Sequence, residues 1–290
     1  MKDKVDNCLL CGSDKSRIFD EREMHEYSVV NHICSECGFI YMSPRMSEDE
    51  LDNFYKEHYR TLYQGQEDPT TANLKTQILR AEDLHSFAQK HTGKIARFLD
   101  IGASAGLLME AFQNNNGSDV VGIEPGDSYR KHAQKKGLTL YPSLEVMKKA
   151  GEEKFDLISM SHVLEHVSDP KEYLSNLREL LNANGCLLLQ VPNVSWHESF
   201  EVAHLTSFSP HTLQEMVRSV GFKKVSIKSH GYPISKIFPV YTTILAGKVE
   251  NIPNHHIMPD KRVGIKRATG IVLKKIFGKL LPKLAWVPRE

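Results

Sequence analysis

An α/β fold with a doubly wound, mostly parallel sheet of Rossmann type follows from three observations in this 290-residue chain. Strand-length apolar runs alternate with helical stretches between residues 95 and 248. One such run, Phe98-Leu99-Asp100-Ile101, breaks into Gly102-Ala103-Ser104-Ala105-Gly106, which places an acid and two glycines where a buried strand turns into a helix. Eighteen residues beyond Gly106, the run Val120-Val121-Gly122-Ile123 ends on Glu124, an acid at the tip of the next strand.

Glycine in a strand-to-helix turn permits backbone angles closed to other residues, and the helix that follows offers unpaired N–H groups. The spacing D-x-G-x-x-x-G lacks the G-x-G-x-x-G of dinucleotide folds and favours a cofactor without phosphates. Asp100 agrees with this, because a carboxylate there repels a pyrophosphate and attracts an ammonium group. Glu124 is placed to take two ribose hydroxyls. With these residues the chain resembles the class I S-adenosylmethionine-dependent methyltransferases, over roughly residues 95 to 248. That resemblance implies a seven-stranded sheet and a cofactor site formed by Asp100, Gly102, Ser104, Gly106 and Glu124, with Pro125, Ser143, Ser161 and His162 completing it. Family members often carry a third glycine where this chain has Ser104.

The remaining elements follow in order. Phe155 to Met160 reads as a strand, and Pro170 opens a helix running to Leu181, with Gly185 ending the helical region. Cys186 to Asn193 is the next buried strand. A helix from Pro210 to Val220 and strands Phe222 to Ser229 and Val240 to Lys248 complete the pattern.

Between strand and helix lies Ser161-His162-Val163-Leu164-Glu165-His166-Val167-Ser168-Asp169-Pro170, which resembles a segment of ubiquinone-pathway and glycan-directed methyltransferases. On one helical turn His162 and His166 share a face. Three roles stand open for this H-x-x-E-H: packing beside the cofactor, acid–base chemistry, or a divalent cation site. Two imidazoles are poor magnesium ligands, so no catalytic metal is expected. The block His204-Leu205-Thr206-Ser207-Phe208-Ser209 is similar to one in methyltransferases with an N-terminal zinc module, where the histidine faces the substrate; packing alone is the other reading. A neutral histidine suits removal of a hydroxyl proton, with His204 expected first as base, then His162, and His166 beside them.

At the start of the chain, Cys8-x-x-Cys11 and Cys34-x-x-Cys37, each followed by glycine, have the spacing of a zinc ribbon. Four thiolates close a tetrahedron, so a zinc ion there is expected to be structural. Residues 8 to 40 hold only Lys15, Arg17 and Arg22 as cations, which argues against nucleic-acid binding. Residues 1–45 form the ribbon module, 46–91 a helical lid or linker, 92–250 the methyltransferase domain and 251–290 a tail. In the lid, Tyr59 and Arg60 are expected to reach the cofactor, Arg60 at its carboxylate.

The N-terminus has no apolar core of a secretory signal, and the five cysteines suit a reducing cytoplasm. Charge is uneven: residues 261 to 290 hold nine Lys and Arg against one acid. There Leu273, Ile276, Phe277, Leu280, Leu281 and Leu284 recur at helical spacing among lysines, with Trp286 near the end and Pro282 expected to interrupt the helix. Such a helix either lies on an anionic membrane, at its inner face, or packs on the domain. The expected acceptor is a sugar, glycan or other small-molecule hydroxyl, with a lipid-linked glycan in view. The alternatives are carbon methylation of a nucleotide-linked keto sugar, or a binding module that keeps the fold without catalysis.

Overall fold

The computed structural model describes residues 3–24, 26–57, 68–252 and 255–287. A hairpin of β1 (Ser16–Met24) and β2 (Tyr27–Cys34) fills the gap between the two cysteine pairs, and β3 (Ile40–Met42) adds to it. Two helices follow, α1 (Glu48–Glu57) and α2 (Thr71–Gln89), the second capped by the Thr70 side chain on the Asn73 amide.

The main domain alternates strand and helix: β4 (Arg97–Ile101), α3 (Leu107–Asn116), β5 (Asp119–Ile123), α4 (Asp127–Gln134), β6 (Thr139–Tyr141), α5 (Leu144–Lys149), β7 (Phe155–Ser161), α6 (Pro170–Glu179) and β8 (Leu181–Pro192). After the short β9 (Thr206–Ser207) come α7 (Pro210–Ser219), β10 (Phe222–His230) and β11 (Tyr241–Lys248), then α8 (Val263–Leu280) and α9 (Pro282–Ala285). The seven-stranded sheet has the order β10-β11-β8-β7-β4-β5-β6, and β11 runs antiparallel to both of its neighbours. Its central strands are buried on both faces, as their unbroken apolar runs require.

One expected boundary moves. Gly185 lies within the span of β8 and does not end a helix, because the chain leaves α6 at Glu179 and Leu181 already pairs with Phe155. The pairing then breaks and resumes at Leu157 with Cys186, so residues 182–185 are accommodated as an irregularity in the strand.

The ribbon is joined to the main domain through a shared sheet. The order β1-β2-β3-β9 places a strand from residues 206–207 on the edge of the ribbon, and the Met42 amide donates to the Leu205 carbonyl at 2.8 Å. Phe39 packs on Phe208 with ring centroids 5.3 Å apart. Packing thus crosses the sequence boundary at 45, and the ribbon props the segment that carries His204.

Candidate active site

At the carboxyl ends of β4, β5 and β7, where an open α/β sheet binds ligands, lies a cleft of about 550 Å³. Asp100, Gly102, Ser104, Glu124, Pro125, Ser161, His162 and His166 all line it. The first turn is held by Gly102 and Gly106, at φ 74° and 78°. A side chain at Gly102 would meet Val163, and one at Gly106 would meet Leu138 and Ala133. Gly106 therefore serves the packing of α3 and is not part of the cleft wall, contrary to its expected place on the cofactor. Ser143 is also outside the wall: it caps α5 by accepting the Val146 amide.

Ser104, standing where relatives often have glycine, adopts that glycine's conformation, with φ 50°. Its amide donates to Glu124 Oε2 at 2.9 Å, and the Gly126 amide donates to Oε1 at 2.8 Å. Glu124, 4% exposed, thus ties the first turn to the loop after β5. The same carboxylate is the group expected to accept the ribose hydroxyls.

Asp100 is also 4% exposed and accepts one hydrogen bond, from the Ser159 hydroxyl at 2.5 Å. Burial raises its carboxyl to about 7, with the Glu124 charge adding to the rise and the Ser159 bond opposing it. A carboxylate so poorly compensated is a site for a cation, and a cofactor ammonium would restore its charged form.

Tyr59 and Arg60 lie outside the described residues. On α2, Gln77, Arg80, Ala81 and Leu84 line the cleft instead, at i, i+3, i+4 and i+7. Arg80 stacks over Tyr241 at 5.5 Å, and its Nε has no partner among the described residues. The Asp83 carboxylate, 2.8 Å from the Lys228 amine, fixes α2 against β10. No signal in the sequence sets Arg80 apart; the packing of α2 on the sheet brings it to the cleft.

His162 is not on a helix. It takes a left-handed turn at φ 57° after β7, and only Leu164–His166 form a single 3-10 turn, so His162 and His166 do not share a helical face. Instead His162 Nδ1 comes to 3.4 Å from Glu165 Oε1. Glu165 is 1% exposed, and neither of its oxygens has a hydrogen-bond partner among the described residues. Burial holds His162 well below its usual pKa, helped by the Arg80 charge, and burial brings His166 down to about 4. Both rings are neutral near pH 7.

His204 is placed differently from His162 and His166. It does not line the cleft; it sits against His166 with ring centroids 4.8 Å apart and donates from Nδ1 to the Ser199 carbonyl at 2.8 Å. His166 Nδ1 likewise donates to the Ala203 carbonyl at 2.8 Å. One ligand atom each from Glu165, His166 and His204 falls within 4.8 Å of the others, a donor set able to hold a transition-metal cation rather than magnesium.

The four sulfurs of Cys8, Cys11, Cys34 and Cys37 also gather within 4.8 Å, with Cys8–Cys37 and Cys11–Cys34 each at 3.5 Å. A tetrahedral zinc site has sulfur–sulfur edges of about 3.8 Å, given zinc–sulfur bonds near 2.3 Å, so the residues fit a zinc ion. Amides of Leu10 and Cys11 face the Cys8 sulfur, as metal knuckles require.

A seven-stranded sheet with one reversed strand, a glycine turn and acids at two adjacent strand ends defines the class I S-adenosylmethionine-dependent methyltransferase fold. The sequence profile described as "Methyltransferase domain" matches residues 73–227, and the chain belongs to that family. Ubiquinone biosynthesis O-methyltransferases are similar to it: that of Rhodopseudomonas palustris is 35% identical over 112 residues, 37% of this chain and 44% of the relative. That of Actinobacillus pleuropneumoniae is 31% identical over 160 residues, 51% of this chain and 66% of the relative. The chain thus spans less than half of the first of these relatives and about two thirds of the second. Among solved structures, the 1,6-didemethyltoxoflavin-N1-methyltransferase of Burkholderia thailandensis, with S-adenosylhomocysteine bound, shares the fold at a TM-score of 0.57 and 17% identity, covering 81% of this chain and all of its own.

Proposed function

We propose that the protein transfers a methyl group from S-adenosylmethionine to a hydroxyl of a sugar, glycan or other small molecule, with His162 as general base. The observation that carries this reading is the His162–Glu165 pair at the cleft wall. The Glu165 carboxylate, 3.4 Å from Nδ1, favours the tautomer with its proton there and leaves Nε2 as the basic atom; Nε2 is covered and has no partner among the described residues, so an acceptor hydroxyl has to displace that cover to reach it. A hydroxyl is a weak nucleophile and must lose its proton as the methyl carbon is attacked. His162 is preferred over His204 because it lines the cleft, whereas His204 is stacked behind His166.

In this reading Glu124 holds the ribose, Asp100 faces the ammonium end and Arg80 takes the carboxylate, fixing the sulfonium so that acceptor oxygen, methyl carbon and sulfur can align. Positioning of this kind supplies much of the rate. The ubiquinone-pathway names of the relatives support a hydroxyl acceptor, and the reading extends that to sugars.

The test uses purified protein, S-adenosylmethionine with a deuterated methyl group, and fractions of cell-envelope glycans and hydroxylated small molecules. Mass spectrometry should find the label as an O-methyl group, and His162→Ala should lower its formation by roughly 100-fold or more while cofactor affinity changes little. Label on carbon or nitrogen rejects the hydroxyl acceptor, and failure to bind the cofactor in calorimetry rejects catalysis altogether.

A further inference from the structure

The C-terminal helix α8 has two faces of opposite character. On one, Val263, Gly270 and Gly278 are buried, and the Arg267 guanidinium donates to the Val194 and His197 carbonyls while stacking on Phe200 at 4.0 Å. Gly270 passes so close to the Ser195 carbonyl that a Cβ would overlap it. On the other face Ile265, Val272, Ile276 and Leu280, at intervals of seven, four and four residues, project together at 47–68% exposure. Of the stripe expected from the sequence, Ile276, Phe277, Leu280, Leu281 and Leu284 are exposed and Leu273 is half-buried. Trp286 is packed on Phe238 and donates to the Gly278 carbonyl, and the exposed apolar face also runs back to Ile265.

We propose that this outward face is a docking surface for an anionic lipid bilayer. Charge supports a lipid surface over a second copy of the chain. Lys275, Lys279 and Lys283 are exposed along the same side and make no ion pair with a described acid, and the segment from residue 261 to the end carries Glu290 as its single acid. A two-fold contact of the helix with itself would set lysines against lysines. An anionic headgroup layer meets both requirements, since it takes the lysines at the headgroups and the isoleucine and leucine side chains just beneath them. Among the described residues no helix is long and apolar enough to cross a membrane, so the contact is a surface one. The docked helix would lie against residues 194–197, on the segment that continues to His204.

The experiment is co-sedimentation of the full chain with vesicles of phosphatidylcholine alone or mixed with phosphatidylglycerol, at low and high salt and without cofactor or acceptor. Its outcome is therefore independent of the methyl-transfer reading. Binding should require phosphatidylglycerol and weaken with salt. Each lysine near such a surface contributes roughly 5-fold, so K275Q/K279Q/K283Q should lower the partition on the order of 100-fold. The variant I276S/L280S should lose binding as well. All five positions are exposed, so thermal unfolding should be unchanged in both variants. Absence of phosphatidylglycerol-dependent binding by the parent, or equal binding by parent and both variants, overturns the proposal. So does light scattering that shows a dimer dissolved by I276S/L280S in a protein that ignores vesicles.

Discussion

Replacing Asp100 by Asn should make the cofactor-free protein more stable while weakening its hold on S-adenosylmethionine. The carboxyl is 4% exposed, has one hydrogen bond from Ser159, and is raised by burial from 3.8 to about 7. A folded state that holds this proton more tightly than the unfolded chain loses stability as pH rises from about 4 through 7, and the loss is complete above 7. Its full size for the stated values is roughly 4 kcal/mol. Asparagine has the same shape, keeps the oxygen that Ser159 contacts and cannot ionise. Its advantage over aspartate should be near zero at about pH 4 and grow to several kcal/mol at pH 8, a rise on the order of 5–10 °C in melting temperature.

Calorimetric scans of both proteins across that pH range measure the difference, in which ionisations common to both cancel. Binding should move the other way. At pH 8 the variant should lose roughly 10- to 100-fold in affinity as a charge-assisted contact disappears. In the parent, affinity should fall about tenfold per pH unit below 7, because the ammonium must displace a proton from Asp100. A stability difference that does not grow with pH, or an unchanged affinity, would show that Asp100 is neither destabilised by burial nor turned toward the cofactor.

Arg80→Ala should weaken S-adenosylmethionine by roughly 10-fold yet leave methylthioadenosine, which lacks the amino-acid moiety, unaffected; equal effects on both ligands in titration calorimetry would remove Arg80 from the carboxylate. Glu124→Ala should weaken both ligands alike, by roughly 10- to 100-fold, since both carry the ribose and the turn at Ser104 loses its tie. Elemental analysis should find one zinc per chain, and Cys37→Ser should destabilise the ribbon and lower turnover with little change in cofactor affinity. Zinc-free protein from a chelator-free preparation would refute the metal assignment.

The cofactor half of the cleft was legible because its chemistry sits on consecutive strand tips, where local sequence dictates both position and partner. Asp100 and Glu124 are 24 residues apart in the chain, yet they end adjacent parallel strands whose pairing the apolar runs already specify. Ser104 was legible as a departure but not as a conformational equivalent, because its left-handed backbone is held by a hydrogen bond from its amide to Glu124 that only the fold creates. The histidines were the harder case. Spacing put His162 and His166 on one helical face, but the turn at φ 57° aims His162 at Glu165 instead, a backbone choice that residue type does not announce. Likewise the order of His204 and His162 hung on depth behind the cleft wall, which is set by contacts between distant segments. Gly106 and Ser143 show the converse: residue types suited to a ligand are used for packing and capping.

The ribbon's place in the molecule gives the segment that carries His204 its rigidity. Residues 193–209 form a long excursion between β8 and α7, and a loop of that length holds its side chains loosely unless other segments support it. Three supports reach it from separate parts of the chain. The ribbon adds β3 to its residues 206–207, α8 grips the carbonyls of Val194 and His197 through Arg267, and the buried Asp260 carboxylate accepts the Ser209 hydroxyl at 2.6 Å. Asp260 itself donates its amide to the Cys37 carbonyl at 2.9 Å, so ribbon and tail brace each other as well as the loop. A small module with little core of its own gains from a metal, and the effect of a zinc ion at the four cysteines would not end at the module. Whatever stiffens the four cysteines also stiffens β3, and with it the strand that follows His204. In the proposed reading the cofactor is held at β4 and β5, and β7 stands between them and β8, so the ribbon and the tail brace the His204 segment from strands other than those that carry Asp100 and Glu124.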